Sequence, residues 1–319
     1  MNNNIAPSTQ ERVWAVMSHL SALTFGMGIL LPVIGWSEQR RKSRYTSFQC
    51  LQALGYQSLG FTIWVLTLAV LVILFSCILV VATGIYAQDS ATSAMISSGF
   101  GIVVVIVVLG FLGLYFILPV IAAISCIMGR DFRYPILGDR LANYLGYDDA
   151  PGNDEQWLIE EHEDRWVTAM GHFAVIIMLW GALAPLTAWI LQGKRSLFLK
   201  FQSLQAVVFH GVVVVLYFGS SFVYFAGFVA FVVLAGLGKA FSGTEAVSIV
   251  GLVFFLITMI VAALVTLVIP LFHITGQWAG YRTLKGDDYR YPVIGKWLEK
   301  RVMNSVPLAK NDLPEAQGG

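Results

Sequence analysis

The sequence predicts an all-α polytopic membrane protein of two parallel four-helix units, each a short helical hairpin followed by two long transmembrane helices. Three observations predict it: long uncharged stretches, an internal duplication, and a one-sided distribution of basic residues. Asp, Glu, Lys and Arg are absent from 13–37, 45–88, 90–129, 166–193, 201–238 and 246–281. Crossing a hydrocarbon core about 30 Å thick takes about 20 apolar residues, and every one of these runs is longer. Hydrophobic residues make up 57% of the chain and charged ones 12%, outside the usual soluble range.

The first segment, 13–37, follows a polar start, MNNNIAPSTQER, with no basic stretch ahead of a compact apolar core. It is expected to be retained rather than cleaved as a signal peptide. Gly26 and Gly28 sit in its middle, where a turn is needed, and Pro32 follows where a second arm begins. Glycine suits a turn, and proline is tolerated in the first turn of a helix. A basic cluster, Arg40, Arg41, Lys42 and Arg44, then precedes FQCLQA at 48–53 and the long runs 45–88 and 90–129. GRDFRYPILG at 129–138 closes the unit.

A second copy follows. Shifting the chain by 153 brings Arg12 onto Arg165, His19 onto His172, Gly28 onto Gly181, Pro32 onto Pro185, Trp36 onto Trp189, and FQCLQA onto FQSLQA at 201–206. The closing motif recurs as GDDYRYPVIG at 286–295, a shift of 157, so the second copy carries a net insertion of four residues (157 minus 153). Chance similarity aligns apolar letters but not His, Pro, Trp, Gln and RYP in order. Between the copies, 142–165 holds Asp148, Asp149, Asp154, Glu155, Glu160, Glu161, Glu163 and Asp164 with Pro151 and Gly152, the composition of a solvated linker. The expected organisation is a polar tail at 1–10, a membrane unit at 11–141, an acidic cytoplasmic linker at 142–162, a second unit at 163–301 and a polar tail at 302–319.

Counting basic residues decides the topology. If each first segment crossed once, the 20 Lys and Arg would divide 11 to 9 across the membrane. If each folds back as a hairpin, 19 share one face and only Lys239 lies on the other. The positive-inside bias favours the hairpin and makes that face cytoplasmic. An even number of segments per unit makes the two repeats parallel. A multi-pass protein of the bacterial cytoplasmic membrane is expected, with both termini cytoplasmic.

His and Leu near the start of the first copy, Pro and Trp before a basic turn, Ser and Phe opening a glutamine-rich helix start, and a closing RYP together form a pattern. That pattern resembles a family of small bacterial membrane proteins of unknown function, related to the four-helix component of the chloroplast inner-envelope protein translocon. The resemblance covers 11–141 and 163–301, and implies four helical segments per unit with both ends cytoplasmic. Members of that family usually carry one unit. Two in tandem imply an internal pseudo-dimer.

Four histidines, His19, His172, His210 and His273, lie in apolar segments, and ionisable groups at membrane depth are candidates for function. His19 and His172 are quasi-equivalent and could face each other across the pseudo-twofold axis as haem or metal ligands, or handle protons. The alternative is that each hydrogen-bonds a neighbouring group, with no cofactor. Gln49 and Gln52 share a helix face, as do Gln202 and Gln205. They either bond across helices or line a polar vestibule. Arg133 with Tyr134, and Arg290 with Tyr291, read as interfacial anchors. The 40–44 cluster reads as topogenic, with binding of anionic lipid or polypeptide as a minor option.

Cys50, Cys77 and Cys126 form no CxxC pair, so neither a disulfide framework nor a zinc site is indicated. No Walker, nucleophile-elbow or HExxH motif occurs, and no catalytic residues are assigned. The membrane segments carry no carboxylate, which weakens an ion-coupled transporter. A non-enzymatic scaffold, an insertion or translocation factor, or a low-selectivity channel is expected. A small-solute transporter, or a haem-binding redox protein using His19 and His172, is the alternative. Expected partners are the lipid bilayer, anionic lipid, other membrane proteins or a translocating polypeptide, and not nucleic acid.

Overall fold

A computed structural model describes residues 6–85, 89–148, 157–240 and 245–303. The linker acids Asp149, Asp154 and Glu155, Pro151 and Gly152, the residues around Gly243, and 1–5 and 304–319 of the expected tails lie outside the described residues. The first copy runs α1 (Thr9–Leu20), α2 (Leu30–Gln39), α3 (Arg44–Ile85), α4 (Ser90–Ile127) and α5 (Leu137–Leu145). The second runs α6 (Glu160–Phe173), α7 (Met178–Gly181), α8 (Leu183–Gln192), α9 (Leu197–Ala240), α10 (Glu245–Leu284) and α11 (Ile294–Met303). The protein is all-α and polytopic, and α3, α4, α9 and α10 are long and apolar enough to cross a membrane.

Local sequence explains the helix ends. Ser8 and Glu11 form a capping box at the start of α1, each satisfying the other's backbone N–H. Asp89 accepts from Ala91 and Thr92 N–H at the start of α4. Gly146 ends α5 with φ 67°. Pro32 and Pro185 both fall in the first turn of the second arm, in α2 and α8, where the missing N–H leaves no bond unmade.

The arms fold back. In the second copy α8 is bent 114° from the segment before it. In the first copy the reversal comes at Phe25 and Gly26, with φ 45° and 88°. The left-handed residue of the second tip is Met178, φ 46°, which is the repeat equivalent of Phe25 and not a glycine. Gly28 and Gly181 serve a different purpose from the expected turn. A Cβ on either would meet the Ser21 or Ala174 carbonyl at 1.8 or 1.9 Å, so they let the two arms close on each other. Arg12 Nη1 donates to Ile127 O at 3.2 Å, and Thr46 Oγ1 to Glu11 O at 3.4 Å. The hairpin therefore starts and ends at the same end of the long helices.

Among the described residues the long helices of the second copy hold more residues than those of the first. α9 has 44 described residues against 42 in α3, and α10 has 40 against 38 in α4. At 1.5 Å per residue a 42-residue helix is about 63 Å long, about twice the hydrocarbon core. Each long helix consequently has two parts. In α3, Thr46, Ser47, Gln49, Gln52, Gln57 and Ser58 are buried in protein, while Val70, Ile73, Val80 and Ile85 are more than half exposed for lipid.

Two features depart from the expected organisation. The boundary at 141/142 falls inside α5, and Tyr147 beyond it stacks on Phe48 at 4.0 Å, so the first unit extends to about Asp148. Each unit has a further, amphipathic helix, α5 or α11, packed against its first long helix. Leu141, Ala142 and Leu145 are its buried stripe in the first copy, and Leu298 is buried in the second.

One apolar core joins the copies, with Trp36, Leu51 and Leu54 of the first packed in the same cluster as Trp166, Met170 and Ile176 of the second. The Trp166 indole donates to Leu51 O at 2.9 Å, and a Cβ on Gly55 would stand 2.4 Å from its ring. The repeat equivalents of Gly55 and Trp166 are Val208 and Val13, so this knob and socket exist once and the pseudo-dimer is asymmetric.

Candidate functional site

At the basic end of each unit a buried polar network ties the first arm, the first long helix and the closing loop together. Gln49 Nε2 donates to Asp131 Oδ1 at 2.8 Å and to Phe132 O at 3.1 Å. Its Oε1 must then accept, and it lies 2.9 Å from His19 Nε2 and 3.2 Å from Gln52 Nε2. The network thus assigns the neutral His19 tautomer: Nε2 carries the proton, and Nδ1 accepts from the Tyr134 hydroxyl at 3.0 Å. Gln52 Nε2 also donates to Phe132 O at 2.9 Å, and its Oε1 accepts the Tyr134 backbone N–H at 2.7 Å.

The second copy repeats every link. His172 meets Gln202 Oε1 and the Tyr291 hydroxyl, both at 3.1 Å. Gln202 donates to Asp288 at 2.6 Å and Tyr289 O at 3.0 Å, Gln205 donates to Gln202 and Tyr289 O, and Gln205 Oε1 accepts the Tyr291 N–H at 3.0 Å. Tyr56 stacks on Tyr134, and Phe209 on Tyr291, each at 4.1 Å. Gly138 and Gly295 make room, since a Cβ there would sit 2.7 and 2.9 Å from the Gln52 and Gln205 oxygens.

His19, Gln49, Gln52, His172, Gln202 and Gln205 are all 0% exposed. The glutamines line no vestibule. His19 and His172 do not share a site: each closes a network inside its own copy, with both ring nitrogens engaged. A haem or metal would have to displace the tyrosine hydroxyl or the glutamine from its ring. Among the described residues no three His, Cys, Asp or Glu side chains converge to hold a metal ion.

Tyr134 and Tyr291, expected at the lipid interface, are 2% exposed and serve the network instead. Their Arg neighbours sit over aromatic rings, Arg133 5.9 Å from Phe48 and Arg290 5.4 Å from Phe201. Arg133 pairs with Asp148 at 2.5 Å and Asp139 at 3.0 Å, and Arg290 with Glu299 at 2.5 Å. The Asp148 hydrogen bond raises the Arg133 guanidinium further above its ordinary value, and the same bond holds the Asp148 carboxyl below the usual carboxylate range. Burial pushes the neighbouring Asp131 carboxyl up, against the pull of Arg133.

His210 Nδ1 donates to Ala206 O at 2.7 Å. It occupies the repeat position of Gln57, whose amide bonds Ser18 O and Ser21 at 3.3 and 3.0 Å. His273 Nε2 meets the Tyr217 hydroxyl at 2.8 Å, beside an apolar crevice of about 780 Å³ between the two hairpin tips.

A second polar cluster escaped the sequence reading. Arg40, 4% exposed, pairs with Asp164 at 2.6 Å and lies 2.9 Å from Glu163 Oε2, without the alignment of a hydrogen bond. Trp36 Nε1 donates to Glu163 Oε1 at 3.1 Å, and Arg195 reaches Asp164 at 2.8 Å. Arg41 pairs with Glu160. The end of the linker is thus not a solvated tract, and Arg40 is not merely topogenic. Three cations and three carboxylic side chains clasp the two copies, and burial pushes the carboxyl of Glu163, 1% exposed, up to about 7 against the pull of Arg40 and the Trp36 hydrogen bond.

One family model, described as the magnetosome magnetite crystal formation protein family (MamF/MmsF), matches residues 10–141 and again 163–298. The chain belongs to that family. Each match falls within one structural unit and ends inside its last helix, so this MamF/MmsF chain is a tandem duplication within a bacterial membrane-protein family, as the repeat implies. The match shows this bacterial family alone and not the expected relation to the chloroplast translocon component. Comparison with curated proteins and with solved structures found no match.

Proposed function

We propose that this MamF/MmsF-family chain takes part in magnetite crystal formation as a non-enzymatic scaffold of the membrane around the crystal. The observation that carries the reading is the duplicated network. Its histidines and glutamines are consumed in fixing the closing loops to the hairpins, which makes each unit a rigid block and leaves those groups unavailable for chemistry. The ion-pair clasp then holds the two blocks at a set relation. A saturated network favours a scaffold over a translocation path or channel, both of which need polar groups facing an open route.

The far face supports the same reading. In the sequence the stretches between the long helices, 86–89 and 241–244, carry one acid, Asp89, and its carboxylate caps α4. With Glu245 opening α10, the far face carries two acids in the sequence, few for templating a mineral, so the effect on crystals runs through organisation of the membrane and its proteins. Partners of that kind, a cytoplasmic-membrane location and cytoplasmic termini belong to the same proposal. The test is deletion and complementation in a magnetite-forming bacterium, with crystal size and number read by electron microscopy, alongside solute flux in liposomes. The scaffold reading expects altered crystals on deletion and no flux. Unchanged crystals, or solute flux through the purified protein, would contradict it.

A further inference from the structure

The two basic turns have different fates. In the first copy Arg40, Arg41 and Lys42 meet Glu163 and Asp164, Glu160 and Glu38 respectively, and Arg44 bonds Gly146 O and lies over Tyr147. In the second copy only Arg195 is so used, with Glu160 and Asp164. Among the described residues Lys194 and Lys200 meet no carboxylate. Lys200 has no cationic counterpart in the first copy, where Ser47 stands buried. Lys194, Arg195 and Lys200 instead line a surface crevice of about 600 Å³ together with Trp189, Ile190 and Leu197.

We propose that this crevice is a binding site for the headgroup of an anionic phospholipid. The chemistry of its wall is twofold. Lysine ammonium groups take a phosphate as a compact charge, and a tryptophan beside exposed aliphatic side chains suits the upper part of an acyl chain. Ile190 and Leu197 are 63% and 44% exposed, at the end of a membrane helix where headgroups lie. That apolar floor is what favours a membrane lipid over a free phosphate. Lipid binding, a minor option for the 40–44 cluster, moves to the second copy because acids of the linker neutralise the first. The site stands apart from the scaffold reading and is tested without reference to crystals.

Native mass spectrometry of the full chain in neutral detergent, with phosphatidylglycerol as the probe, measures it. A juxtamembrane lysine contributes about 1 kcal/mol toward anionic lipid, so K194Q/K200Q is expected to bind roughly thirtyfold more weakly at low salt. K194R/K200R should bind like the parent, which separates loss of charge from loss of fold, and K42Q in the first turn should change nothing. Undiminished binding by K194Q/K200Q would overturn the assignment. So would equal retention of phosphatidylcholine, or displacement of the lipid by millimolar inorganic phosphate.

Discussion

Gln52 accepts the backbone N–H of Tyr134 at 2.7 Å, and with its bond to Phe132 O and those of Gln49 to Asp131 and Phe132 this ties the closing loop of the first unit to the start of its first membrane helix. Gln205 and Tyr291 repeat it at 3.0 Å. Replacing either glutamine by leucine strands a buried N–H and leaves the partner glutamine and the loop carbonyl short of a donor. An unmet buried group costs about 1–3 kcal/mol. Q52L and Q205L should each lower the melting temperature in detergent, by similar amounts. A variant that melts with the parent would show that the network does not hold the unit.

The contact between Gly55 and Trp166 makes a second, asymmetric prediction. G55V should destabilise by about 1–3 kcal/mol through overpacking, and W166A should remove most of that penalty. A double-mutant cycle measures the coupling. Additive effects would mean that the indole does not occupy the socket.

Removing one partner of a buried ion pair leaves a charge unpaired and costs about 3–5 kcal/mol. R40M should therefore destabilise more than K42Q, whose Glu38 partner is exposed. The comparison is made by thermal melting in the same detergent. Equal effects would return Arg40 to a purely topogenic role.

Acid should loosen the first closing loop through Asp148. Its folded carboxyl is held below the ordinary value by Arg133. The stabilisation is therefore present above an unfolded value of about 3.9 and is lost as pH falls through the lower folded value. D148N should flatten the stability profile in that acidic window and leave it unchanged in shape near neutrality. Parallel curves for parent and variant below pH 4 would dismiss the pair.

Much of this was legible in the sequence. Uncharged runs and repeat spacing predict the membrane helices and the duplicated glutamines, and the one-sided basic residues predict the hairpins, because these signals are local or internal to the chain. The partners of those glutamines were not legible. Tyr134 reads as an interfacial residue until its ring is seen stacked on Tyr56, since burial of an aromatic depends on a loop returning from 80 residues away. The Arg40 clasp was hidden for a related reason. Its acids lie in a segment whose composition matches a solvated linker, and the second copy has Gly193 where the first has Arg40. α5 left a weak trace in Leu137, Leu141 and Leu145 at helical spacing before Gly146.

The arrangement of two parallel units rests on each first segment folding back rather than crossing. Single cysteines at positions 41, 89 and 194, in a chain cleared of Cys50, Cys77 and Cys126, test it with a membrane-impermeant thiol reagent in oriented vesicles. Parallel units predict that positions 41 and 194 label from the same side and position 89 from the other. Labelling of position 194 together with position 89 would contradict the hairpins, and with them the two-unit architecture.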